Sequence, residues 1–174
     1  MFRIVALALA VSGLCSPLRA DEAEDNAVAF VRELGGTVTR AEKAPGKPVV
    51  TVNLRGADVT GAGLRELAPL KNLATLDLYA TEVTDAGLKE RAPLKNLTAL
   101  HLWGMKVTDA GLKELAPLQN PTALYLATPN VTDAGLKELA ALPKLTTLDL
   151  TFTKVTDVGR KQLQQGLPNC RIKN

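Results

Sequence analysis

Apolar residues return at fixed offsets through most of this chain. One set stands at Leu73, Leu76, Leu78, Val83 and Leu88, and the same spacing reappears at Leu97, Leu100, Leu102, Val107 and Leu112. The dipeptide Val-Thr marks the period: Val59-Thr60, Val83-Thr84, Val107-Thr108, Val131-Thr132 and Val155-Thr156 follow one another every 24 residues. Such self-similarity predicts a solenoid, in which each unit buries its apolar face only against its neighbours. Within a unit, Leu76 and Leu78 alternate with Thr75, Asp77 and Tyr79, the period of a half-buried strand. Val83 then turns back to the core. Thr84 or Asp85 can cap a short helix by accepting its free N–H groups, and an acidic residue also suits the helix dipole. Gly87 permits close packing, Leu88 points inward, and Pro93 ends the helix. The unit reads strand, turn, short helix, loop, with successive strands parallel and about 4.8 Å apart.

The ends depart from this pattern. Ala23, Ala27, Phe30, Val31 and Leu34 have helical spacing, which predicts a helix over 22–34, capped by Asp21 and stopped by Gly35-Gly36. A short TVTR strand and a Pro/Gly turn (Pro45, Gly46, Pro48) lead into the first repeat strand at Val49. Residues 21–48 therefore read as an N-terminal cap and 49–169 as five repeats, with 170–174 adding a final edge strand. Some columns drift. Gly61 stands where the other repeats have Asp, Pro121 replaces a strand leucine, and Pro129 stands in the column of Thr81 and Thr153. Arg160 takes the column of Leu88. Arg91 takes a leucine column, where its stem would snorkel to solvent.

The pattern LxxLxLxxTxVTDAGLKELAPLKN resembles the leucine-rich repeat, over residues 49 to about 169. The resemblance implies an α/β solenoid with a parallel sheet on its concave face and short helices on its convex face. It is similar to the cysteine-containing subtype, which has Cys or sometimes Thr where this chain has Ala57, Thr81, Met105, Pro129 and Thr153. That subtype includes substrate-recognition adaptors of ubiquitin ligases. The chain looks more like small exported bacterial repeat proteins. The family is mostly a scaffold for binding surfaces, which implies a binding module rather than an enzyme.

Composition changes the picture at the N-terminus. Arg3, an apolar run from Ile4 to Leu14, and small residues up to Ala20 precede an acidic DEAED. This is the form of a secretory signal peptide occupying 1–20, and the apolar run is too short to span a bilayer. Lipidation at Cys15 is disfavoured by Leu14 and Ser12 beside it. Removal of 1–20 takes Arg3 and Arg19 and no acid, so the net charge of +3 falls to +1. The basic balance then gives no support for nucleic acid. One cysteine, Cys170, remains, so no internal disulfide can form. The expected location is secreted or periplasmic, at the cell envelope, with no stable membrane span once the leader is gone. Two Asn-x-Thr sequons, at Asn96 and Asn130, would matter only in a eukaryotic secretory route.

The outward strand positions are where binding chemistry can sit. They are Thr51, Asn53 and Arg55; Thr75, Asp77 and Tyr79; Ala99, His101 and Trp103; Ala123, Tyr125 and Ala127; and Thr147, Asp149 and Thr151. The only Trp, the only His and both Tyr fall on them, with Phe152 adjacent. Aromatic residues on a rigid face are the usual anchors of a binding surface. The candidate ligand-binding set is Arg55, Asp77, Tyr79, His101, Trp103, Tyr125, Asp149 and Phe152. Tyr79 and Trp103 share a column, so their rings are expected about 5 Å apart, facing solvent. Asp77 could orient His101 as a base, but beyond residue 20 the chain has no serine nucleophile. A flat sheet offers no pocket for catalysis or a metal, and no cofactor is implied. The Asp residues at 85, 109, 133 and 157 recur in four of the five units and read as helix caps. The expected partner is a protein or peptide. The alternative is a structural, envelope-associated module without a dedicated ligand.

Overall fold

The computed structural model describes residues 20–89 and 94–174. The leader reading over 1–19, and the readings of Arg91 and Pro93, lie outside the described residues. Helix α1 (Ala20–Glu33) opens the described chain and presses Ala27, Val28 and Val31 onto the core. Asp21 lies inside α1 rather than capping it. Gly35 takes a left-handed conformation (φ +76) and ends the helix, while the Gly36 N–H donates back to the Val31 carbonyl at 2.9 Å.

Strands β1 (Thr37–Arg40) and β2 (Val49–Asn53) pair antiparallel around the Pro/Gly turn. The repeat then runs α2 (Gly61–Leu64), β3 (Thr75–Asp77), α3 (Asp85–Lys89), β4 (Ala99–His101), α4 (Asp109–Lys113), β5 (Ala123–Tyr125), α5 (Asp133–Leu139), β6 (Thr147–Asp149) and α6 (Asp157–Gly166). Strand β7 (Arg171–Lys173) closes the sheet. All seven strands form one open sheet in sequence order, parallel from β2 to β7. The register follows the 24-residue period: Leu76 faces Leu100, which faces Leu124, which faces Leu148. Leu54, Leu78, Leu102, Leu126 and Leu150 form one column, completely buried, and Val59, Val83, Val107 and Val131 form another. The fold is a leucine-rich-repeat solenoid, with helices and sheet on opposite sides of a single aliphatic core.

The repeated Asp residues have a different role from the one expected. Thr108, Thr132 and Thr156 are the helix caps, each hydroxyl accepting a backbone N–H at 3.2 Å. Each Asp reaches instead into the following repeat. Asp85 accepts from the Thr108 N–H and hydroxyl at 2.8 and 2.6 Å, and Asp109 holds Thr132 and Asp133 holds Thr156 in the same way. The hydrogen bonds from Thr156 keep the Asp133 carboxyl below the usual carboxylate range. The glycines of α4, α5 and α6 make room for this clip, because a Cβ at Gly111, Gly135 or Gly159 would collide with the carboxylate of the preceding repeat. Where the first repeat has Gly61 instead of Asp, the helix backbones touch directly at Gly61 and Gly87. Asp157 has no further repeat to clip and pairs with Arg160 at 3.1 Å.

Pro129 disturbs the fourth repeat. Thr81 and Thr153 donate their N–H groups to Leu78 and Leu150, closing the turn after the strand. Proline has no N–H to give. Thr128 is drawn inward instead, its hydroxyl 3.2 Å from the carbonyls of Met105 and Val107. Ala127, just before it, is only 8% exposed.

Candidate functional site

The centre of the concave face is a row of rings. The strand register places Asp77 opposite His101 and His101 opposite Tyr125. The imidazole of His101 stacks on the Tyr125 ring, with centroids 4.2 Å apart and planes within 9°. Trp103 lies between the two tyrosines, 6.3 Å from Tyr79 and 6.4 Å from Tyr125, tilted against both. The Tyr79–Trp103 separation exceeds the strand spacing because both residues lie just beyond their strands, where tilted rings pack better than parallel ones. Arg55 lays its guanidinium over the other face of Tyr79, 4.4 Å from the centroid, a cation–π contact.

These residues shape a shallow cleft of about 250 Å³, lined by Arg55, Asp77, Tyr79, His101, Trp103 and Tyr125. The expectation of a flat, pocketless sheet is therefore corrected, since stacked rings stand above the sheet and wall in a concavity. The rings are also less solvent-facing than expected. Trp103 is half-buried, and its indole nitrogen is sealed from solvent without a hydrogen-bond partner among the described residues.

The electrostatics are set by burial. Desolvation holds the His101 pKa below its ordinary 6.5; the neighbouring Asp77 charge opposes this and Arg55 reinforces it. The imidazole is thus neutral at pH 7. The Asp77 carboxylate accepts the Tyr79 N–H at 3.0 Å and shapes the turn, as Asn53 does for Arg55. It makes no hydrogen bond to His101 among the described residues.

Two of the eight candidates stand apart. Asp149, read from the period as an outward residue, is only 6% exposed. Burial pushes its carboxyl up, yet hydrogen bonds from the Thr151 hydroxyl and N–H and from Lys173 hold it below the usual carboxylate range. Phe152 is 80% exposed on the turn after β6 and makes no ring contact with the cluster among the described residues. Its φ of +63 places it in the left-handed region, in the column of Gly56, Ala80 and Gly104, which share that conformation.

The period-based reading missed two residues of the face. Arg171 pairs in register with Thr147, and Lys173 with Asp149, so both extend the outward columns onto β7. The alternation Arg-Ile-Lys, with Ile172 packed against the core, is the readable trace of this. Among the described residues, no group of three or more His, Cys, Asp or Glu could hold a metal ion, and no helix is long and apolar enough to cross a membrane.

Fold and sequence pattern together define a leucine-rich-repeat protein, a class whose fold generally serves as a binding scaffold. The family pattern described as leucine-rich repeat matches residues 141–163. Among solved structures, internalin C2 from Listeria monocytogenes str. 4b F2365 superposes with a TM-score of 0.60 at 23% identity, covering 94% of this chain and 70% of that one. Another internalin of the same strain superposes with a TM-score of 0.52 at 24% identity, covering 88% of this chain and 42% of that one. These likenesses concern the fold. No curated protein matches the chain.

Proposed function

We propose that this chain is an exported binding module that holds a protein or peptide partner on its concave face. The observation that carries the reading is the cleft at the centre of that face, where three aromatic rings converge around a volume suited to one side chain. Rigid aromatic residues give large contact area at little conformational cost, and they dominate binding energy where they are found at interfaces. The unpaired indole N–H of Trp103 supports the same reading. A buried donor without a partner costs about 1–3 kcal/mol, and departures from local consistency of this kind concentrate at functional sites. Exposed Phe152, carried in a left-handed turn that Gly56 and Gly104 adopt without strain, serves as an accessory contact on the rim. Residues 21–48 and 170–174 act as the caps of the 49–169 repeat array. Export follows from the leader-like residues 1–20.

The test has two parts. Mass spectrometry of protein made in its native host should find a chain starting near Asp21 without lipid; retention of Met1 overturns export, and acylation of Cys15 overturns the lipid-free mature chain. The mature domain should then capture a partner from the same host, and a Trp103→Ala, Tyr125→Ala double variant that still folds should lose it. A folded double variant with unchanged affinity moves the binding surface away from the concave centre.

A further inference from the structure

Beside the aromatic cleft lies a second one of about 370 Å³, at the C-terminal end of the sheet. Tyr125 is the wall common to both, so the two clefts form adjoining parts of one groove that crosses the strands. The chemistry of the second is different. Asp149 lines it, but its charge is already engaged by the N–H and hydroxyl of Thr151 and by the Lys173 ammonium at 3.1 Å. Arg171 lines it as well, is exposed, and has no side-chain hydrogen bond or ion pair among the described residues. Two cations against one neutralised carboxylate leave a net positive charge, with a free guanidinium fork in a cleft that the Tyr125 ring also lines. A guanidinium fork matches a carboxylate in bidentate geometry.

From this charge complementarity, and resting on the concave-face reading above, we infer that the second cleft takes an Asp or Glu side chain of the bound peptide. The apolar anchor of the same peptide sits in the aromatic cleft. Arg171 is in register with Ala99, so Trp103 lies three strand spacings across the sheet and four residues along it from Arg171, roughly 20 Å in all. An extended peptide covers that distance in about six residues. The acidic residue therefore stands about six positions from the apolar one.

A competing account is that Arg171 and Lys173 only guard the open edge of β7 against strand addition. Any charge serves that purpose, including a negative one. Arg171→Glu therefore separates the two accounts, because it keeps an edge charge and reverses the sign the groove presents.

The probes are blocked tridecapeptides with Phe at the centre and Glu at both ends, joined by five glycines on each side, so that chain direction does not matter. Matched peptides carry Gln or Lys in place of both Glu residues. Binding to the full mature chain is followed by Trp103 fluorescence and, for variants, by calorimetry. The Glu peptide should bind about tenfold more tightly than the Gln peptide, and the Lys peptide more weakly than either. Arg171→Glu should erase the Glu preference and leave the Gln peptide unchanged. Equal binding of Glu and Gln peptides, or a Glu preference that survives Arg171→Glu, overturns the inference while the aromatic site stands. If none of the three peptides binds, or if Trp103→Ala binds them all as well as the parent, the concave-face reading fails and takes this inference with it.

Discussion

The imidazole of His101 lies flat on the ring of Tyr125, 4.2 Å between centroids. In the equivalent column of other repeats stand Asn53, Asp77 and Asp149, whose side chains accept a backbone N–H two residues on. In the fourth and fifth strands of the sheet that local polar role gives way to a contact between repeats. This exchange is what makes the middle of the concave face aromatic.

It also makes stability sensitive to pH. The folded-state pKa of His101 is depressed below 6.5 because burial disfavours the imidazolium. Between the folded and unfolded pKa values the unfolded chain binds more protons, so stability rises with pH across that window. The contribution is present above pH 6.5 and is lost as pH falls through the lower folded value. Denaturant melts of the parent and of His101→Phe, at pH 7.5 and 5, check this. The parent should lose more stability on acidification than the variant, and equal losses would mean the ring stack tolerates the charge.

Trp103→Ala should cost roughly 1–2 kcal/mol, since two tilted ring contacts disappear. The loss is limited because the residue is only half-buried and the removed indole N–H had no partner. Thermal or chemical melts give the number. A loss above about 4 kcal/mol would place Trp103 among the core residues instead.

The aliphatic columns should dominate stability. Leu76→Ala, Leu100→Ala and Leu148→Ala each remove a buried side chain and should cost about 2–5 kcal/mol. Thr75→Ala, on the outward face of the same strand, should cost well under 1 kcal/mol. Similar losses at Leu100 and Thr75 in urea titrations would contradict the strand register.

The clip between repeats predicts a coupling. Gly111→Ala should destabilise by roughly 1–3 kcal/mol through overpacking, as the new methyl meets the Asp85 carboxylate and lies 2.9 Å from Val107 Cγ1. Asp85→Ala alone should also destabilise, because the Thr108 N–H and hydroxyl lose their acceptor. The double variant should be more stable than the two losses added together, by about 1 kcal/mol, since removing the carboxylate clears space for the methyl. Strict additivity across this cycle would show that the close approach relaxes without cost.

The sequence by itself determined the solenoid, the strand register and the face on which each strand residue lies. A period of 24 residues repeated through five Val-Thr pairs fixes which leucines must cover one another, and alternation fixes what points outward. It therefore placed Tyr79, His101, Trp103 and Tyr125 on one surface. Tertiary structure decided what lay across the period. The Asp after each Thr fits local helix-cap chemistry equally well, and its true partner is 23 residues away in the next coil. Thr128 turns inward where Pro129, one residue on, lacks the N–H that closes the turn elsewhere. Asp149 is engaged by Lys173, which comes from a strand outside the repeats. The cleft itself is a property of rings packed against each other across neighbouring strands. Position in a repeat fixes which residues share a surface, but only packing fixes how their side chains fill it.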